Sequence, residues 1–468
     1  MKKQIRKGAA VLLSVGMAAS LAACGGAEGT GGASGAGTSA SGQTAGAAET
    51  GAAESGTAES GASQEETAIT FSWWGGDSRH EATEKAVEAF MEKYPHITVE
   101  PEYGAWTGWE EKQSMNLVGG NGADLMQINW NWIDNYGQNG TMFLDLYQYG
   151  DIIDLSQFPQ ETLDQCSVDG KLMAIPVSNT GCLFYWNKNT FETVGCPIPT
   201  DLDSLLAAGA AFEAYGEDYY PLVIDSGFSR MIFMVYYLES VYGKPWVENG
   251  QLQYTEEEIQ TGLGFMKQLE EAHVIPTLAK TDGDMADSTD KNPNWIDGKY
   301  AGIYVWDASA GKHEDAIRES VNVPGQELVR GEFLRFGDYD GGYTKISMAF
   351  AIPSTSEHPK EAAMLIEYLL NDPEGVEICA LERGVPLSAK GVALIEDKGI
   401  GDPDLIEANK AVIAYSKFPL DPKFDSNDLK ADPDGAYEKV FGKLSYGEYD
   451  VQAAAKELYE SVNEVLGN

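Results

Sequence analysis

Hydrophobic and polar positions follow two rhythms along most of this chain. Ile69-Thr70-Phe71-Ser72-Trp73-Trp74 alternates with the two-residue period of a strand, and Gly75-Gly76-Asp77 breaks it. Ser78 with Glu81 three residues on reads as a capping box; Ala82, Ala86, Ala89 and Phe90 then recur at helical spacing until Pro95 stops the helix. Ile97, Val99 and Tyr103 predict a second strand, another helix runs to Gly119-Gly120, and residues 124–128 predict a third strand. A βαβαβ run of this kind predicts a mostly parallel sheet with helices on both faces, and ligands in such sheets sit beyond the carboxyl ends of the strands. Farther on, Asp169-Gly170 is a turn before a strand at 172–177. Leu183-Phe184-Tyr185-Trp186 is strand-like, with a helix from Asn189. Strands are expected at 301–306 and 346–352. A helix over 359–370 turns Ala362, Ala363, Ile366 and Leu369 or Leu370 inward, and 450–466 is an amphipathic helix.

The start of the chain has neither rhythm. Lys2, Lys3, Arg6 and Lys7 precede an apolar stretch at 8–20, too short to span a bilayer as a stable helix, which predicts a signal peptide over 1–23. It closes on Leu21-Ala22-Ala23-Cys24 and resembles the bacterial lipobox, which implies cleavage before Cys24 and lipidation of its thiol. Several acyl chains on one residue anchor stably, since each buried methylene adds about 0.8 kcal/mol. Residues 25–67 contain only Gly, Ala, Ser, Thr, Glu and Gln, so 24–67 reads as a lipidated cysteine followed by a disordered tether. Its reach is on the order of 35 Å. No other apolar run is long enough to span a bilayer, so the chain is not itself a channel and needs a membrane partner.

Charge narrows the partners. Acidic residues number 73 and basic ones 32, a net charge of −41, and removal of the signal peptide takes away four more positive charges. That excess argues against nucleic acid and anionic lipid surfaces and suits solubility outside the cell. The remaining stretch of about 400 residues suits two lobes better than one core. Cys166, Cys182, Cys196 and Cys379 lack C-x-x-C spacing; Cys182 and Cys196 could pair, or all four could be free thiols. His80-Glu81-Ala82-Thr83-Glu84 begins like H-E-x-x-H but lacks the second histidine, and neither G-x-S-x-G nor a Walker A motif is present. Asp282-Gly283-Asp284 with Asp287 suggests a calcium loop but lacks the glycine and closing glutamate of an EF-hand, so a solvated acidic loop fits better.

Six short motifs, in order, carry a resemblance. They are Ile69 onward as opening strand and helix; Gly119 onward as a Gly-rich turn and Ala-Asp strand; Gly170-Lys171-Leu172-Met173-Ala174-Ile175-Pro176; Phe184-Tyr185-Trp186-Asn187-Lys188 with Phe191; Ala351-Ile352-Pro353 through Ala362-Ala363 to Asn371-Asp372-Pro373-Glu374-Gly375; and Gly384-Val385-Pro386. Together they resemble the family 1 extracellular solute-binding proteins, the carbohydrate-binding subunits of ABC importers. One departure is that Pro199-Thr200-Asp201-Leu202-Asp203-Ser204-Leu205 lacks the Trp and Glu usual at that helix start. The resemblance implies a two-lobed α/β fold of the type II periplasmic-binding-protein kind, with the ligand cleft between lobes. One lobe takes 68–180 and 345–382; the other takes 181–344 and 383–468. The crossings fall near Thr180, Tyr343 and Arg383. It also implies a monomer that uses no cofactor, holds no metal, and passes a sugar or oligosaccharide to ABC transporter permease subunits.

A sugar offers C–H faces to aromatic rings and hydroxyl edges to Asp, Asn, Arg and Glu. Trp73 and Trp74 are adjacent on a strand and face opposite ways, so Trp74, nearer the loop, is assigned to the cleft. Asp77 and Arg79 at the helix start have two readings, ligand contacts or a cap and a surface ion pair. Trp106 and Trp109 lie in a Gly-containing loop, and Asn129, Trp130 and Trp132 follow the third strand. Trp306 and Asp307 resemble the family's strand-end platform, while Tyr343 and Arg383 flank crossings. The alternative function is a surface-anchored glycoside hydrolase, but acidic pairs such as Glu110-Glu111 diverge on a helix and are usually solvated.

Overall fold

The structure is a computed structural model that describes residues 66–106, 108–136, 141–284 and 288–467. Cys24, the signal peptide, nearly all of the expected tether and Asp287 lie outside the described residues. The main elements are β1 (Thr67–Trp74), α1 (Asp77–Lys93), β2 (Ile97–Gly104), α2 (Trp109–Val118), β3 (Leu125–Ile128), β4 (Ile175–Asn187), α3 (Gly227–Tyr242), β5 (Gly302–Trp306), α4 (Ala310–Arg318), β6 (Leu328–Arg330), β7 (Tyr343–Ala351), α5 (Pro359–Asn371), α6 (Pro403–Tyr415), β8 (Phe418–Pro419) and α7 (Val451–Leu466). No helix among the described residues is long and apolar enough to cross a membrane.

The βαβαβ opening is present, and β1 lies between β2 and β3 with both pairings parallel. The expectation of a mostly parallel sheet is corrected beyond that point. β7 pairs antiparallel with β3 and with β4, and β4 pairs antiparallel with β5 and β6, giving one mixed sheet of eight strands. The capping box at Ser78 is also corrected. Gly76 is the N-cap of α1 without a side-chain cap, and Ser78 lies inside the helix, donating to Glu382 Oε2 at 2.9 Å.

β4 merges two segments that the sequence pattern separates. Its first half pairs with β7, from Phe350 opposite Ile175 to Thr344 opposite Gly181, and its second half pairs with β5, from Cys182 opposite Trp306 to Trp186 opposite Gly302. The polar Asn179-Thr180-Gly181 stretch interrupts the hydrophobic pattern without interrupting the strand, because each flank has its own partner. Gly181 is required there by close approach: a Cβ would lie 2.4 Å from Val412 and 2.8 Å from the Tyr343 carbonyl oxygen. The expected strand start at 172 belongs instead to a small hairpin, Ser167–Val168 with Lys171–Leu172.

Trp73, Phe71, Ile128, Phe350 and the inner face of α5 share the large core. A second core, on the other face of β4, gathers Leu183, Tyr185, Ile303, Ile317, Ala408 and Val412. The four described cysteines are free thiols.

Candidate functional site

The ends of β1 and β5 bring aromatic rings to the surface of the sheet's central part. Strand alternation buries Trp73 completely and leaves Trp74 half-buried. Trp74 packs on Trp106 with ring centroids 5.1 Å apart and on Trp132 at 6.1 Å, and Trp132 meets Tyr136 edge-on at 5.7 Å. Trp106 is 42% exposed, an unusual degree for a tryptophan with two indoles in its neighbourhood.

At the end of β5, Trp306 is half-buried against Tyr343, with centroids 6.1 Å apart. Lys345 Nζ lies 4.7 Å from the Trp306 ring centre, a cation–π contact covering one face of the indole. The same ammonium pairs with Asp425, whose side chain is only 4% exposed. Burial raises the Asp425 carboxyl, but Lys345 and Lys430 outweigh it and hold the group below its ordinary value. The Asp425 carbonyl accepts from Asn131 Nδ2 at 3.0 Å, and Asn131 precedes Trp132. A connected track therefore runs Trp106, Trp74, Trp132, Asn131, Asp425, Lys345, Trp306. Within it Asn131 Oδ1 and Asp425 Oδ1 are buried without a hydrogen-bond partner among the described residues. Such orphaned acceptors suit the hydroxyls of a polar ligand. Glu110 stands alongside, its carboxyl raised by burial and opposed by Lys430 and the Trp132 indole.

Arg79 closes one end. Its Nε donates to the Glu382 carbonyl at 2.7 Å and Nη1 to the Trp74 carbonyl at 3.1 Å, so it is neither a cap nor a surface ion pair. Burial, with Arg383 adding to it, lowers its guanidinium to about 10. Asp77 is exposed at the first position of α1, and Asn129 is half-buried with its side chain turned back onto the Trp130 N–H.

Five of the residues expected at a ligand are walls instead. Trp130 is buried and donates from Nε1 to the Gln165 carbonyl at 2.9 Å. Trp109 is buried as the first residue of α2, with Lys112 over its ring. Tyr343 is buried and donates to the Ile232 carbonyl at 2.9 Å. Asp307 is buried and takes bonds from Thr180, Asn409 and the Ala308 N–H. Arg383 is buried, its guanidinium donating to Gln127 Oε1 and Thr83 Oγ1 at 2.8 Å each, over the Phe350 ring. All five are buried, and of their donors Trp109 Nε1 has no hydrogen-bond partner among the described residues. Of the residues the sequence reading did not assign to the site, Lys345 and Tyr136 are half-buried beside Trp306 and Trp132, while Asn131 and Asp425 are buried and with Trp132, also buried, form the floor between the exposed rings. Both indoles of the Trp130-Asn131-Trp132 segment are buried, and Trp132 is the one that meets Trp74.

Among the described residues no three Asp, Glu, His or Cys side chains converge on a possible metal site. Tyr446 donates to Asp282, and Tyr300 and Asn292 donate to Asp284, so these two acids serve as hydrogen-bond acceptors.

Compared with known families, residues 76–376 match the bacterial extracellular solute-binding proteins. Among solved structures, a periplasmic solute binding protein of Pectobacterium atrosepticum is 33% identical, with a TM-score of 0.78 over 86% of this chain and 99% of its own. A periplasmic oligogalacturonide binding protein of Yersinia enterocolitica, solved with saturated digalacturonic acid, is 32% identical, with a TM-score of 0.76 over 86% and 99% of the two chains. A Brucella abortus protein described as a binding protein is 29% identical over 139 residues, 29% of this chain and 33% of that protein. The match thus spans about a third of the length of the curated relatives.

Proposed function

Since the chain belongs to the bacterial extracellular solute-binding protein family, we propose that it captures an oligosaccharide in the tryptophan track and delivers it to ABC transporter permease subunits. The observation that supports this reading is the Trp106–Trp74 pair at one end of the track and Trp306 at the other, joined through the Lys345–Asp425 ion pair. Half-exposed indoles offer stacking area at small entropic cost, and the polar atoms between them match sugar hydroxyls. The Yersinia relative's digalacturonic acid makes uronate oligomers the first class to try. In this reading Cys24 is lipidated and holds the protein at the outer face of the cell membrane, and two lobes hinged at β4 and β7 close on the sugar.

Calorimetry and thermal shift against a panel of oligosaccharides, digalacturonate included, test the ligand class, with chromatography of the same mixtures for products. Saturable binding, a raised melting temperature and an unaltered glycan are expected. Cleaved product would favour the glycoside hydrolase instead, and a panel with no binder would remove the sugar reading. Replacing Cys24 with serine should release the protein from membranes, and unchanged membrane association would count against the anchor.

A further inference from the structure

On the face of the sheet opposite Trp306, β4, β6, the 307–311 turn and the start of α6 enclose a cavity of about 470 Å³. Register separates the two places. Cys182 pairs with Trp306 and packs in the large core, whereas Tyr185 pairs with Ile303 and packs in the second core. Three residues along a strand reverse the side-chain direction. The tryptophan track does not use this cavity.

Tyr185 is 7% exposed and lines it, and the phenol hydroxyl has no hydrogen-bond partner among the described residues. The Tyr185 ring is buried, but its hydroxyl is not sealed in with it and opens into the cavity, where it is free to bond an occupant. Burial, and after it Asp307, raises the phenol above its ordinary value, which keeps it protonated. Three of the carboxylates at the rim stand in exposed ion pairs: Glu314 with Arg318, which Asp315 shares, Glu327 with Lys188, and Glu407 with Lys410, which Glu396 shares. Asp402, the N-cap of α6, and Asp404, in its first turn, make no ion pair among the described residues; the Asp402 carboxylate accepts the Asp404 N–H at 2.9 Å. Arg330, without an ion pair among the described residues, is the one cation in the lining. With Asp307, which also lines the cavity and is bonded only by neutral donors, three carboxylates without an ion pair among the described residues stand against one guanidinium. Leu328, Val329 and Leu405 supply an apolar wall. The lining lacks the three convergent ligands a metal would need.

We infer that this cavity is a second ligand site, separate from the sugar track, that takes a small organic ammonium ion. The ammonium is held by Asp402 and Asp404 and donates to the Tyr185 oxygen, and the alkyl part lies on the apolar wall. Arg330 opposes binding rather than assisting it.

Titration of the sugar-free intact protein with 1,5-diaminopentane, beside 1-pentanol and glutarate, tests the inference. Saturable one-to-one binding of the diamine is expected, with neither the alcohol nor the diacid binding. Asp402→Asn combined with Asp404→Asn preserves the helix cap, since asparagine caps as well as aspartate, and should weaken the diamine roughly tenfold or more. Tyr185→Phe should weaken it several-fold, and Arg330→Gln should strengthen it. The surface asparagine pair decides the matter if Tyr185→Phe fails to fold. Absence of saturable diamine binding at millimolar concentration overturns the inference. So does diamine binding unchanged in the asparagine pair, which would mark it as diffuse attraction to an acidic protein. Weakening by Arg330→Gln would overturn it too, because it would assign a ligand carboxylate to that end.

Discussion

Lys345 already covers one face of the Trp306 indole, and the proposed ligand stacks on the part of the ring that Lys345, Tyr343 and the core leave exposed. A ring held in this way loses little freedom when a sugar stacks on it, so its contribution to binding is large relative to its contribution to folding. Trp306→Ala should cost about 2 kcal/mol of binding, close to a thirtyfold loss of affinity, while melting of the ligand-free protein moves little. Calorimetry and thermal melting of the same variant check both halves; a badly destabilised free protein would make Trp306 a core residue. Its neighbour Tyr343 behaves in the opposite way, since its hydroxyl is spent on the Ile232 carbonyl inside the core. At this scale the sequence located the neighbourhood and not the depth. Position after a strand marks a residue as near the sheet's carboxyl edge, but the chain folds back there, and Trp109, Trp130 and Asp307 are drawn under the surface. Lys345 and Asp425 were invisible for another reason. They are 80 residues apart, each unremarkable where it stands, and only the fold makes them a pair.

Among the elements, those with a strong period of their own were legible: β1, α1, β2, α5 and α7 fall where hydrophobic spacing places them. β4 was not, because its middle is polar and its continuity depends on two different partners. Gly181 sits where those partners change. A methyl group there must displace Val412 of α6 or the Tyr343 carbonyl, so Gly181→Ala should lose about 1–3 kcal/mol of unfolding free energy, read from urea denaturation. An unchanged midpoint would mean that α6 yields without resistance. In α4, His313 is buried with Nδ1 2.8 Å from the Ser309 carbonyl oxygen, and burial lowers its pKa although that carbonyl opposes the shift. The unfolded imidazole takes up its proton near about pH 6.5 and the folded one only at lower pH. The unfolded state therefore binds more protons in that window, and this contribution to stability is lost as pH falls from 6.5 towards the folded pKa. Buried carboxyls with raised pKa, such as Asp307 and Glu438, act with the opposite sign. The informative quantity is thus the difference between His313→Gln and the native protein across pH 7.5 to 5.5. The variant should lose part of the decline, and identical slopes would show that His313 takes up its proton equally in the folded and unfolded states.

For the molecule as a whole, the antiparallel β4–β7 pair is the structural feature on which the closure proposal depends. β7 joins the β1–β3 part of the sheet to β4, and β4 carries β5 with Trp306. Trp74 and Trp106 are fixed to the first part and Trp306 to the second, so a ligand touching all three rings binds well only when the two parts approach. A ligand can shift such an equilibrium only through its differential affinity for the closed form, and rings on both sides provide that difference. The buried Lys345–Asp425 pair lies between them, with Lys345 on β7 itself, so closure would rotate the parts about a strand that also holds the track's central charge. Small-angle scattering of the intact protein, with and without a saturating glycan identified by calorimetry, should show a smaller radius of gyration and a shortened distance distribution on binding. Trp306→Ala, at a glycan concentration raised to restore saturation, should compact less, because the second part has lost its principal contact. Identical scattering in all states would leave the binding track intact and remove the hinge, making this a preformed site on a rigid sheet.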